Sequence, residues 1–150
     1  MGLSGKFLGK VVYIDTPPLI YYIERNQRYF NLVKEVFEAN DRGDFLFVTS
    51  SITIAEILSF PNTHKDKELL NIYDKVFQSS RTLLVLPVGF NEARTAGMLR
   101  AKHKLKTPDA IHLATATEYK ADYFLTNDFD FSGTEQITII NLDSWLKKKK

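Results

Sequence analysis

The chain has 150 residues, 44% hydrophobic and 25% charged, with a formal net charge of +2 and no cysteine. That length suits one domain able to bury a substantial core. The missing cysteines exclude disulfides, thiolate catalysis and cysteine-based zinc sites. No apolar run approaches the roughly 20 residues of a membrane span, and residues 1–9 lack the long apolar stretch of a signal peptide. The expectation is therefore a soluble, cytoplasmic protein with no membrane partner.

Residues 1–9 carry Gly2, Gly5 and Gly9 and read as a flexible lead-in. Val11-Val-Tyr-Ile14 is a β-branched run that stops at Asp15-Thr-Pro-Pro, a strand ending at a helix-start signal. Helices are expected over 19–25 and 27–39, the second with Phe30, Val33, Val36 and Phe37 on one face. Residues 45–49 read as a strand. Ser50 and Ser51 can cap a helix over 52–60 that stops at Pro61. A helix over 67–78 and a strand over 82–86 follow. The segment 91–102 reads as a helix, with Ala93, Ala96 and Ala101 permitting close packing. Thr107-Pro-Asp109 opens a helix over 110–119. Strands are expected at 123–126 and 137–140, and a short helix over 143–147. Strands alternating with helices predict an α/β fold, a central mostly parallel sheet flanked by helices. Lys147 to Lys150 form a basic tail, expected to be disordered.

The acids are more informative than the elements. Asp15, Glu56, Asp109 and Asp128 each lie beside an apolar segment, with no basic partner close in sequence. A carboxylate there is costly unless it is paired or binds a metal. Each has an ordinary explanation: Asp15 as a helix N-cap, Glu56 in a capping box with Thr53, Asp109 favoured by a helix dipole, Asp128 in a turn. Four together point to a shared hard cation. Glu56 is hardest to dismiss, because Ile52-Thr-Ile-Ala-Glu-Ile-Leu58 is otherwise apolar or uncharged. Net charge alone does not argue for nucleic acid. Arg100, Lys102, Lys104 and Lys106 nevertheless cluster, and such a group can meet phosphates or simply form a solvated helix end.

Four segments carry a resemblance: Val11-Val-Tyr-Ile-Asp15-Thr with Leu19-Ile-Tyr-Tyr-Ile-Glu24; Thr49-Ser-Ser-Ile-Thr-Ile-Ala-Glu56-Ile-Leu; Thr107-Pro-Asp109-Ala-Ile-His-Leu-Ala-Thr-Ala; and Phe124-Leu-Thr-Asn-Asp128-Phe-Asp-Phe131. In this order and spacing the chain resembles the PIN-domain nucleases, and within them the VapC-type toxins of toxin–antitoxin pairs, over residues 10–146. The resemblance implies that Asp15, Glu56, Asp109 and Asp128 form a catalytic cluster binding Mg²⁺ or Mn²⁺. Asp130 is implied as a further acid, and Thr16, Thr126 and Asn127 are accessory candidates. It also implies RNA as substrate, products with a 5′ phosphate and a 3′ hydroxyl, a cognate antitoxin, and a homodimer for which Tyr21, Tyr22 and Phe30 are candidate interface residues. Pro17-Pro18 departs from the family pattern, which has a small polar residue and an aliphatic one there. His112 falls three residues after Asp109, on a shared helix face, and reads as a core or supporting histidine rather than a ligand. His64 and His103 read as surface residues.

Other phosphate chemistries fit poorly. No Gly-rich run with Gly-Lys-Ser/Thr is present. Pro17 stands where a haloacid-dehalogenase-like phosphatase would need a second Asp, and Leu86-Pro87 offers no phosphoacceptor for a receiver domain. The remaining alternatives are a PIN-like RNA-binding or assembly module without activity, and an RNA-processing PIN nuclease that is not a toxin.

Overall fold

The computed structural model describes residues 2–131, 134 and 137–148. Its centre is a five-stranded sheet of β1 (Val11–Ile14), β2 (Leu46–Ser50), β3 (Leu83–Leu86), β4 (Tyr123–Thr126) and β5 (Thr138–Asn141). Every neighbouring pair is parallel, in the order β3-β2-β1-β4-β5. The chain builds outward from β1 through β2 to β3, then crosses to the other side of β1 for β4. The strand order reverses at β1/β4, and ligands of open α/β sheets bind in the crevice beyond the carboxyl ends of strands at such a point.

Side chains alternate across the sheet. Val12, Ile14, Phe47, Leu83, Leu125 and Ile140 join one core with the buried residues of helices α1 (Leu3–Phe7), α2 (Thr16–Ile23), α3 (Phe30–Asp41), α4 (Ser51–Leu58), α6 (Lys67–Ser79) and α9 (Leu142–Lys148). Tyr13, Val48 and Phe124 face the opposite way, against α7 (Phe90–His103) and α8 (Thr107–Glu118). The result is the expected α/β sandwich. No helix among the described residues is long and apolar enough to cross a membrane.

Several expectations are corrected. The described part of the expected lead-in, residues 2–9, is not flexible: Leu3–Phe7 form α1, with Leu3 and Phe7 fully buried. Phe7 meets Phe45 and Tyr123 at ring-centroid distances of 5.3 and 5.4 Å. Its three glycines hid the two apolar anchors four residues apart. Only Gly9 uses glycine's freedom, at φ +73° in the turn into β1. The helix expected from Leu19 starts at Thr16, because Asp15 caps it and the two prolines occupy its first turn, where no N–H needs a helical partner. Pro61 does not end ordered structure. It opens another short helix, α5 (Pro61–Lys65). In α7 only Ala96 of the three alanines is buried; the close packing comes from Ala110, Ala114 and Ala116 of α8. Lys147 and Lys148 are not a disordered tail but the last turn of α9, where Lys147 pairs with Asp143 at 2.9 Å. Lys149 and Lys150 lie outside the described residues.

The buried position of α1 makes a direct prediction. Phe7→Ala should lower the unfolding free energy by about 3–5 kcal/mol, the usual cost of emptying a buried phenylalanine site. Urea denaturation followed by circular dichroism checks it. A free lead-in would predict no measurable change.

Candidate active site

Asp15 follows directly on β1 and is 5% exposed. One oxygen accepts from the Thr16 N–H at 2.8 Å and the other from Thr126 Oγ1 at 2.7 Å. Asp15 therefore is a helix N-cap, and it also lines a cavity. Thr126, the last residue of β4, accepts from the Asp128 N–H at 3.0 Å while donating to Asp15. That one hydroxyl ties the ends of β1 and β4 together.

Glu56 comes from the middle of α4, whose start is capped by Ser50. No capping box with Thr53 forms: Thr53 is buried and bonds to Thr49 at 2.7 Å. Glu56 instead receives a hydrogen bond from Thr16 Oγ1 at 3.0 Å and makes a very short contact with His112 Nε2. Asp109 lies in the first turn of α8. Asp128 follows β4 and holds the Asp130 N–H at 2.8 Å. Asp15, Glu56, Asp109 and Asp128 all line one cavity of about 300 Å³, with Thr16, Pro17, Ile20, Tyr21 and Phe60.

The carboxylates divide into two groups. Asp109, Asp128 and Asp130 each offer an oxygen, all within 4.8 Å of one another. Ligands at roughly 2.0–2.6 Å from one ion can lie up to about 5 Å apart, so this trio fits a divalent cation. Asp15 and Glu56 are instead engaged by His112, whose Nε2 is 3.6 Å from Asp15 Oδ1 as well as bonded to Glu56.

The electrostatics follow from burial and crowding. Burial pushes the Asp109 carboxyl up, and repulsion from Asp128 and Asp15 adds to it, carrying it to about 6. Burial also raises Asp15, opposed chiefly by the charge of His112. For Glu56 burial works upward too, but the bond and charge of His112, helped by Thr16, hold its carboxyl below the usual range. Burial alone would depress His112; Glu56, Asp15 and Asp109 reverse this and raise it.

A family model for the PIN domain matches residues 12–136. The chain belongs to the PIN domain family. Solved structures of similar shape include VapBC2 from Rickettsia felis bound to a promoter DNA fragment (TM-score 0.67, 17% identity, 87% of this chain and 98% of that one). DNA-bound VapBC from Salmonella typhimurium is similar at TM-score 0.66 and 20% identity, over 89% of this chain and 98% of that one. A toxin–antitoxin complex from Klebsiella pneumoniae is similar at TM-score 0.64 and 24% identity, over 87% and 96%. No curated protein matches the sequence.

The accessory candidates of the PIN domain separate by location. Thr16 and Thr126 bond directly to acids of the cavity. Asn127 is occupied elsewhere: its amide donates to the Tyr21 hydroxyl at 3.1 Å and its oxygen accepts from the Asp143 N–H at 2.9 Å, joining α2, β4 and α9. Asp130, read from the sequence only as a further acid, belongs to the cation-sized trio. Arg100, Lys102, Lys104 and Lys106 are exposed around the α7–α8 turn that leads to Asp109, and none lines the cavity. Arg100 donates to the Leu105 carbonyl at 3.2 Å, and Lys104 takes the left-handed position that ends α7. His64 is exposed as expected, but His103 is half-buried, with its Nε2 enclosed and without a partner among the described residues. Tyr22 stacks on Phe37 at 4.1 Å and on Phe30 at 6.1 Å, and Tyr21 on Tyr29 at 4.7 Å. Sequence reasoning overlooked Tyr13 and Phe60. Tyr13 had a usable signal, since it stands two residues before Asp15 and so points to the same face of β1.

The raised Asp109 carboxyl gives a signed pH dependence. Its folded-state pKa lies above the unfolded value, so its ionisation opposes folding at high pH and the penalty vanishes once it is protonated in both states. In chelator, Asp109→Asn should melt above wild type at neutral pH. The gap should shrink as pH falls through about 6 and close below the ordinary aspartate range. Melting temperatures of both proteins across pH 3–8 (roughly the window spanned by the two titrations) check this.

Proposed function

We infer that this PIN domain is a Mg²⁺- or Mn²⁺-dependent endoribonuclease and the toxin member of a toxin–antitoxin pair. The observation that carries the reading is the convergence of Asp15, Glu56, Asp109 and Asp128 on one cavity at the β1/β4 crevice, with the oxygens of Asp109, Asp128 and Asp130 at cation spacing. The likeness to VapBC structures supports an antitoxin protein as partner. A homodimer and a cytoplasmic location belong to the same reading.

Asp109, Asp128 and Asp130 would hold the cation. When bound, such an ion activates a water and neutralises charge developing on phosphate oxygens. Asp15, fixed by Thr16 and Thr126, forms the floor of the acidic wall, and Glu56 its second side. A water attacks the phosphorus in line with the departing 3′ oxygen, leaving a 5′ phosphate and a 3′ hydroxyl. Arg100, Lys102, Lys104 and Lys106 provide positive charge for the flanking phosphates.

Incubation of a mixed RNA pool with the protein and Mg²⁺ or Mn²⁺ tests this. Cleavage should stop in EDTA, and Asp109→Asn should reduce the rate by about a hundredfold or more, in keeping with loss of a group that holds an essential ion. RNA bound but uncut in Mn²⁺ would establish the non-catalytic module instead. Without substrate, Mn²⁺ should stabilise the wild type by about 2.7 kcal/mol at a hundredfold excess over Kd. Asp128→Asn should lose most of that gain, measured as the shift in melting temperature.

A further inference from the structure

A hydrogen-bonded relay leaves the start of α4 and returns to it. The Ser50 N–H donates to the Tyr13 hydroxyl oxygen at 3.1 Å, the Tyr13 hydroxyl meets His112 Nδ1 at 2.5 Å, and His112 Nε2 meets Glu56 Oε1. Ser50 and Tyr13 are fully buried and His112 is 1% exposed. The relay thus crosses β1 and α8 beneath the cavity without touching solvent until it reaches Glu56, whose side chain is 34% exposed.

The proton inventory sets its direction at Glu56. A carboxylate only accepts, so His112 Nε2 carries the proton it shares with Glu56. The Tyr13 oxygen accepts from Ser50 and shares a further proton with His112 Nδ1, Tyr13 donating it to a neutral ring and accepting it from a charged one. Thr49 Oγ1 donates to the Ile14 carbonyl at 2.8 Å and so accepts from Thr53, which leaves neither threonine a proton to give the Tyr13 oxygen. Thr16 Oγ1 donates to the same Glu56 oxygen as His112. Glu56 Oε1 therefore has two donors, whereas Oε2 has none among the described residues.

We propose that His112, aimed by Tyr13, is the positioning residue for Glu56: it pins Oε1 so that Oε2 alone is presented to the cavity. Glu56 then stands beside the Asp109–Asp128–Asp130 cation site as a one-oxygen acceptor for the attacking water. The assignment of that water rests on the ribonuclease reading; the clamp on Oε1 does not. In the step itself a bond forms between the water oxygen and phosphorus. The water proton passes to Oε2 and the bond from phosphorus to the 3′ oxygen breaks. The released 3′ oxygen takes a proton from solvent, and Glu56 later returns its own to solvent. A glutamate on a half-exposed helix face has three rotatable bonds, and the two donors on Oε1 restrict where its second oxygen can point.

The alternative is that His112 merely fills space beneath the sheet, and amide substitutions of different length separate the two. In His112→Gln an N–H can occupy the place of Nε2. His112→Asn is one methylene too short, and His112→Leu has no donor. The readouts are the Glu56 side-chain carboxyl resonance of isotopically labelled, metal-free full-length protein, and kcat and KM for RNA with Mg²⁺. His112→Gln should keep the wild-type carboxyl shift. The Asn and Leu variants should lose that shift and drop kcat by about 10–100-fold, with KM for RNA within about twofold, the pattern expected when a group that orients another is removed. Equal kcat and an equal carboxyl shift in the Gln, Asn and Leu variants would overturn the proposal, as would a change confined to KM. Should the Leu variant fail to fold by circular dichroism, Tyr13→Phe carries the test, because its ring can keep stacking on Phe124 at 5.0 Å while the relay loses its hydroxyl. If the wild type cuts no RNA, the ribonuclease reading fails, while the carboxyl resonance still decides on the clamp.

Discussion

Like charges brought into a partly dry cleft repel, and the contact of one buried imidazole with two carboxylates makes this cleft tenable. His112 lies against Glu56 and Asp15, and within electrostatic reach of Asp109. Charge interactions strengthen as water is excluded, so the same burial that raises Asp15 and Asp109 also strengthens the attraction His112 exerts on them. The balance differs by site. Glu56, bonded directly to the ring, is held below the usual carboxylate range, whereas Asp109, without a hydrogen bond to it, is pushed to about 6. The acidic cluster is thus not four equivalent charges. It is an ionised, tethered glutamate and a buried aspartate beside a more loosely held trio.

The scaffold explains why such distant residues meet. Parallel strands carry every carboxyl end to the same edge of the sheet, and the reversal of strand order at β1/β4 opens a crevice there. Asp15 and Asp128 lie just past those two strands. The helix α4 follows β2, the neighbour of β1, and lays Glu56 across the crevice; α8 packs on the opposite face and delivers Asp109 and His112 three residues apart. Thr126 then bridges the strand ends by serving Asp15 and the Asp128 backbone at once.

Structural and chemical roles coincide at several of these residues. Asp15 caps α2 with the oxygen nearest Thr16 and still contributes to the acidic wall. Thr16 begins the same helix and restrains Glu56. Ser50 caps α4 with its hydroxyl, while its backbone N–H starts the buried relay. The ordinary explanations for these residues and the functional ones are compatible, because a helix start at a strand end supplies both unpaired N–H groups and a position facing the crevice.

The sequence by itself determined the α/β class, the alternation of elements and the strand at 123–126, because hydrophobic periodicity and short turn signals are local. It also marked Asp109 and His112 as sharing a helix face. Tertiary structure decided what the pattern could not carry. Leu3 and Phe7 became core anchors only once β1, β2 and α3 offered a surface to cover, so a glycine-rich segment concealed an ordered helix. Asn127 and Asp130 are three residues apart in a short turn, and only the fold sent the first to Tyr21 and Asp143 and the second to the acids. Tyr13 looked like any strand residue until α8 placed a histidine ring against its hydroxyl. Partner choice of this kind depends on which side chains arrive from elements far apart in the chain, and that information is not local.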